Sequence, residues 1–279
     1  FAEPLPPGES PKYVMPHFPV VQPSKLSYKV RPVFNASAAA KGKLSLNDCI
    51  EDTPNLLPCP MSMLTKFRRH RVAWVADISK AYLMVRVHPD NRNILCFLWF
   101  KDEQESTGRS IYRMTSTSFG VNDSQHNTIA VIRAHAEKYA ASHHDACKSI
   151  LHDLYMDDML TGAESSGEAE RLWHAVVEIL GNAGIVLKKF KSNCRALRDQ
   201  FGDVTETVHT DPPSEGTLLR PAGVEKVLGV GWNQEALTFQ PDGMLEFAKS
   251  APPTLRTLLN SSMKTGTQIS KLFDEDWKL

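Results

Sequence analysis

Ile150-Leu151-His152-Asp153-Leu154-Tyr155-Met156-Asp157-Asp158-Met159-Leu160-Thr161-Gly162 is the stretch that decides how the rest of the chain is read. Two apolar arms, Ile150 to Met156 and Met159 to Thr161, flank a pair of adjacent acids, the pattern of a β-hairpin with carboxylates at its tip. Side chains alternate across a strand, so Asp157 and Asp158 point apart unless the turn bends them. One is then a primary functional carboxylate and the other a secondary one, with Asp157 the nominee for primary. Asp-Asp is also ordinary turn chemistry, because a short acidic side chain bonds its own backbone. The text on either side separates the two readings.

Upstream, Arg71 to Ile78 is a short apolar run whose penultimate residue is Asp77, a buried strand that delivers a carboxylate near its C-terminal end. Ile94 to Phe100 and Ser110 to Thr115 read as a strand pair joined by the polar segment Lys101 to Arg109. Ser124 to Ala141 has helical periodicity, with Ile129, Ile132 and Ala136 on one stripe. Downstream, Ser165 and Glu168 make a capping box, and Leu172, Val176, Ile179 and Leu180 continue as a stripe until Gly181 to Gly184 stops it. Ile185 to Phe190 returns as a strand. The order strand, helix, hairpin, helix, strand predicts an α+β fold with a split βαβ antiparallel sheet, helices on one face and the other face open for substrate.

Further out the signals thin. The opening residues to Ser24 are dense in proline and read as an extended arm. Tyr28 to Phe34 predicts a strand, and Asn55 to Arg69 a loop leading into a helix with Met61, Leu64 and Phe67 on one side. After a Pro- and Gly-rich stretch from Thr207 to Gly223, Val227 to Trp232 and Ala236 to Phe239 predict another hairpin.

The 279 residues, 42% of them hydrophobic, are enough for one large domain or two intimate subdomains. A formal net charge of zero gives no global electrostatic argument for a nucleic-acid partner. Basic surface must be local, as in Lys188, Lys189, Lys191, Arg195 and Arg198, a run that also reads as a plain solvated face. Five scattered cysteines without a Cys-x-x-Cys pair fit a reduced, intracellular setting. His143, His144, Cys147 and His152 do not have zinc-ligand spacing. No apolar run is long enough to span a bilayer, so no membrane partner is expected. The chain opens on Phe1, and the expectation is a piece of a longer polypeptide.

Phosphoryl transfer to a sugar hydroxyl needs a deprotonated nucleophile and neutralised phosphate charge, and two hard cations supply both. Magnesium takes oxygen ligands, so such a site needs carboxylates. Asp77 followed by Lys80-Ala81-Tyr82, upstream of Tyr155-Met156-Asp157-Asp158, resembles the first and central motifs of reverse transcriptases. Arg31-Pro32-Val33-Phe34-Asn35-Ala36-Ser37, Leu46-Asn47-Asp48, Pro54-Asn55-Leu56-Leu57, Ala76-Asp77-Ile78 and Leu160-Thr161-Gly162-Ala163 resemble the BEL/Pao group of long-terminal-repeat retrotransposons, over about Tyr13 to Ser262.

The resemblance implies a polymerase right hand of fingers and palm with an incomplete thumb. Residues 1–24 are the arm, 25–71 part of the fingers, and 72–206 the palm with fingers strands inserted at 92–118. Residues 207–245 hold a primer-grip hairpin and the start of the thumb, and 246–279 a degenerate or truncated tail. It implies two Mg²⁺ ions held by Asp77, Asp157 and Asp158, and a template, a primer and a dNTP as partners. Tyr82 falls where the family keeps an aromatic gate against a 2′-hydroxyl; a core aromatic beside a strand is the alternative. Arg31 falls on a fingers arginine for the triphosphate, with Lys25 or Lys29 assisting. Phe119 and Gly120 match the nucleotide platform beside Tyr155, a plain turn glycine being the other reading of Gly120. Lys191 matches a general acid for pyrophosphate, with Lys188 and Lys189 as substitutes, and Leu228, Gly229 and Trp232 match the primer grip.

Asn35 stands where the family has Asp, and Gln125 where it has proline; neither is a metal ligand. Protease, RNase H and integrase signatures are absent from this text and belong to the rest of a parent polyprotein. The implied location is a cytoplasmic retroelement particle, with the nucleus as a further destination. Two other readings stand beside the polymerase: an inactive transposon-derived relic that folds and binds nucleic acid, and an RNA-binding module with a bare split βαβ sheet. The latter reads bases with exposed aromatics on its central strands, where this hairpin carries acids.

Overall fold

A computed structural model describes residues 1–23, 28–100, 108–202, 224–228, 230–233 and 238–239. In chain order the strands and helices are β1 (Ala2–Pro4), β2 (His17–Pro23), β3 (Tyr28–Phe34), α1 (Pro60–Arg68), β4 (Val72–Ile78), α2 (Ala81–Met84), β5 (Cys96–Phe100) and β6 (Arg109–Met114). There follow α3 (Ser124–Glu137), α4 (His144–His152), β7 (Leu154–Tyr155), β8 (Asp158–Ala163), α5 (Ser166–Gly181), β9 (Leu187–Ser192), α6 (Arg195–Phe201), β10 (Val224–Val227), β11 (Val230–Asn233) and β12 (Thr238–Phe239).

The central sheet has the order β7-β8-β4-β9, and every pairing in it is antiparallel. Strand alternation sorts its side chains. Trp74, Ala76 and Ile78 of β4 and Met159 of β8 face the core made with α3, α4 and α5, together with Phe190 of β9. There Trp173 of α5 meets Trp74 edge-to-face at 5.2 Å and Phe190 at 4.6 Å, a geometry that suits the ring quadrupoles. Ser165 and Glu168 form the expected capping box at the head of α5, and its buried stripe is Ala169, Trp173, Val176, Ile179 and Leu180. Trp173 thus takes the inner position that the periodicity gave to Leu172, which is only partly buried.

The opposite face carries Ala73 and Leu160, and it is not bare as expected from sequence. Met63, Leu64 and Phe67 of α1 and Val227 and Trp232 of the β10–β11 hairpin pack onto it, with Phe67 and Trp232 edge-to-face at 5.0 Å. Met63, not Met61, supplies the third inner residue of α1. The predicted hairpin of Val227 to Trp232 with Ala236 to Phe239 is there, with Trp232↔Phe239 and Asn233↔Thr238 paired, but its first arm also spans a turn. Val224–Val227 pairs with Val230–Asn233, and Leu228 between them has φ 47°.

Two further corrections concern the periphery and the hairpin. The opening residues read as an extended arm instead hold two paired strands. β1 joins β6 beside β5, and β2 forms a seven-pair ribbon with β3 across the 24/25 boundary. Glu3 and Glu9 bind the buried Arg113 of β6 at 2.8 and 2.7 Å, which fastens the opening residues to that sheet. The upstream hairpin arm is shorter than predicted, because Ile150 to His152 end α4 and only Leu154–Tyr155 make β7. Lys25, Gly229 and the 246–279 tail lie outside the described residues. No described helix is long and apolar enough to cross a membrane.

Candidate active site

Asp77 of β4 and Asp158 of β8 are direct cross-strand partners. Direct opposition puts two side chains on one face with Cβ atoms about 5 Å apart. That face also holds Ala73 and Leu160, and therefore α1 and Trp232. Met156 and Asp157 form a two-residue turn closed by the Tyr155–Asp158 pair, with Met156 left-handed at φ 55°. The turn lies against the end of β4, where Ile78 N donates to Asp157 O at 2.6 Å. The bend predicted to be needed is there, and it leaves Asp157 exposed while Asp158 is partly buried.

The three acids share one electrostatic neighbourhood. Burial, then Asp157, then Asp77 push the Asp158 carboxyl up to about 6, against a smaller opposing pull from Lys189. Asp77 Oδ1 meets Lys189 Nζ at 3.3 Å. That contact follows from a bulge: between Val75↔Lys191 and Asp77↔Lys188, β9 holds one residue more than β4, and Lys189 takes φ 56°. Lys191, the residue nominated for proton transfer, stands opposite Val75, and Lys189 is the lysine against the carboxylate.

Asp157 also borders a pocket lined by Ala81, Tyr82, Gln125, Thr128, Ile129 and Met156. Tyr82 follows Lys80, whose left-handed φ of 57° ends β4 and starts α2. The Tyr82 carbonyl accepts from the Thr117 hydroxyl, and its ring meets Phe119 edge-to-face at 4.7 Å. Burial, then the negative charge of Asp157, raise its phenol above the usual range. Phe119 is 57% exposed.

Gly120 sits in a turn at φ 92°, and a Cβ there would lie 2.3 Å from the Phe34 carbonyl oxygen, so glycine is required for the close approach to β3. Asn47, whose role was not read from sequence, ties this corner. Its Nδ2 donates to Gly120 O at 3.0 Å and to Ser37 Oγ at 2.8 Å, and its Oδ1 accepts from Asn122 N at 3.1 Å. An Asn beside turn residues is the one available signal. Tyr155 is partly buried against the α1 face, and Arg31 is exposed on the separate β2–β3 ribbon opposite Val20.

Three carboxylates without a nitrogen or sulfur donor are the donor type that a hard cation takes. Among the described residues no three His, Cys, Asp or Glu side chains stand as a finished metal cluster, and Asp77 is drawn to Lys189.

No protein-family model matches the chain. Among solved structures it is similar to native prototype foamy virus protease-reverse transcriptase, with TM-score 0.50 and 20% identity over 68% of this chain and 22% of that one. The selenomethionine-labelled CSH mutant of the same viral protein gives TM-score 0.51 and 18% identity at the same coverage. The chain spans about a fifth of the length of these proteins. At such identity the likeness is one of fold: helices mixed with antiparallel sheets in the manner of reverse transcriptases.

Proposed function

We propose that the chain is an RNA-directed DNA polymerase from a BEL/Pao-type retrotransposon, transferring a nucleotide from a dNTP to a primer 3′-hydroxyl. One observation carries the reading. Asp77 and Asp158 meet across two strands, and Asp157, on the adjoining turn, borders the pocket that Tyr82 lines. Asp77, Asp157 and Asp158 would hold two Mg²⁺ ions, which when bound lower the pKa of the attacking hydroxyl and neutralise triphosphate charge.

The remaining work falls to the protein's own side chains. Tyr82, backed by Phe119, is the surface against which a deoxyribose rests, and a ring there leaves no room for a 2′-hydroxyl. Lys189, with Lys191 two residues further along β9, supplies positive charge and a proton on the leaving-group side. The turn at Leu228 would grip the primer backbone, with Trp232, buried against Phe67, anchoring that hairpin to the sheet, and Arg31 would bind the triphosphate. Template, primer and dNTP are the partners, and protease, RNase H and integrase belong to the parent polyprotein, in a cytoplasmic particle with access to the nucleus.

A second reading, a folded relic that binds nucleic acid without catalysis, is favoured by the Lys189–Asp77 ion pair, which leaves the carboxylates short of a finished ligand set. Extension of a DNA primer on an RNA template with Mg²⁺ separates the two. The polymerase reading expects incorporation that Asp157→Asn abolishes. Absence of incorporation by the wild type supports the relic, and equal incorporation by Asp157→Asn overturns the metal assignment.

A further inference from the structure

Asp153 is a buried carboxylate for which the proposed chemistry has no use. It is 4% exposed, in a core position where an unpaired charge costs several kcal/mol. Its Oδ1 pairs with Lys66 Nζ of α1, and its Oδ2 accepts from Thr161 Oγ1 of β8 at 2.9 Å. Thr161 Oγ1 in turn meets Ser149 Oγ of α4 at 3.0 Å. The backbone of Asp153 is engaged as well: its N–H donates to Ser149 O at 2.7 Å and its carbonyl accepts from Leu160 N at 2.8 Å. One side chain thus joins α1, α4 and β8 at the foot of the acidic hairpin. A buried polar network with its members satisfied fixes a single arrangement more sharply than apolar packing does.

The foot is close to the tip. From the Asp153–Leu160 hydrogen bond, Leu154↔Met159 and Tyr155↔Asp158 are the only pairs before the turn, about 7 Å of strand. An upstream arm of two residues has no slack to absorb a shift at its base. Lys66 comes from α1, which packs with Trp232 on the carboxylate face, so the ion pair also links that side of the sheet to the hairpin.

We propose that Asp153, clamped by Lys66 and Thr161, is a positioning residue that sets the height of the Met156–Asp157 turn and so of Asp157 and Asp158 over the sheet. The inference rests on the polymerase reading for its kinetic consequence and on the fold alone for its structural one. Asp153→Asn keeps the shape and removes the charge. Single-nucleotide incorporation in this variant falls roughly tenfold or more in kcat, as expected for a small misplacement of reacting groups. KM and primer-template affinity stay within about twofold. Amide hydrogen exchange at Met156 to Asp158 accelerates by a similar factor while α5 amides are unchanged. Lys66→Met reproduces both effects and Lys66→Arg, which keeps the charge, restores most of each.

Folded Asp153→Asn with kcat and hairpin exchange within about twofold of wild type overturns the proposal. If Asp153→Asn does not fold, the Lys66 pair decides alone, since that side chain is 40% exposed, and unaltered exchange in Lys66→Met overturns the clamp. Failure of the wild type to incorporate any nucleotide counts against the polymerase reading, and exchange then decides the clamp without it.

Discussion

Asp158 bears the cost of being buried, and of being buried beside Asp157 and Asp77, at one strand end. Its carboxyl is raised from 3.8 to about 6, so between those values the folded chain holds a proton that the unfolded chain has released. Stability therefore falls as pH rises from about 4 to about 6 and stays lower above that. The full shift corresponds to about 3 kcal/mol, which partial exposure reduces to about 1–2 kcal/mol. Asp158→Asn is expected to raise the urea midpoint at pH 7.5 and to match wild type near pH 4; an equal midpoint at both pH values contradicts this account of the site. Gly120 gives an opposite case. Gly120→Ala forces a Cβ against the Phe34 carbonyl at positive φ, and a loss of about 2–3 kcal/mol is expected in equilibrium unfolding. A loss below about 0.5 kcal/mol means that the corner relaxes freely.

At the scale of elements, local chemistry that closes on itself is legible in the sequence. The Ser165–Glu168 capping box lies within four residues, and both its hydrogen bonds form. Ser165→Ala is accordingly expected to cost about 1 kcal/mol in thermal unfolding, and no change in Tm argues that α5 is held by its Trp173 face alone. The acidic hairpin was visible for the same reason, since two acids between apolar arms need only a turn. Its length was not visible: Ile150 serves α4 and the core as well as it serves a strand, and a short apolar run does not distinguish the two. The bulge that brings Lys189 to Asp77 was hidden too, because three lysines in four positions look alike until the register with β4 is known. β1 and β2 were obscured by prolines, which suit the strands of a ribbon or a sheet edge as well as they suit a linker. Gly120 and Asn47 act through β3 and the loop after it, contacts between segments more than seventy residues apart that no local pattern announces.

Across the whole molecule, the central antiparallel sheet brings together carboxylates that are eighty positions apart in the chain, and α1 and Trp232 roof the rest of the same face. The helices behind it form the larger hydrophobic core, so the face with the acids is supported by packing that does not depend on them. This division explains why the site tolerates an uncomfortable Asp158: strain of a few kcal/mol at one edge is small beside the burial of Trp74, Trp173, Ile179 and Phe190 behind it. The central claim is that Asp77, Asp157 and Asp158 together hold divalent cations. Its most direct test is paramagnetic titration of Mn²⁺ into the chain with primer, template and an unreactive dNTP analogue, repeated with each of the three Asn variants. The account predicts two bound ions per chain in the wild type, with at least one lost in every variant. Mn²⁺ binding by the wild type that is weak, or that survives all three substitutions unchanged, contradicts it.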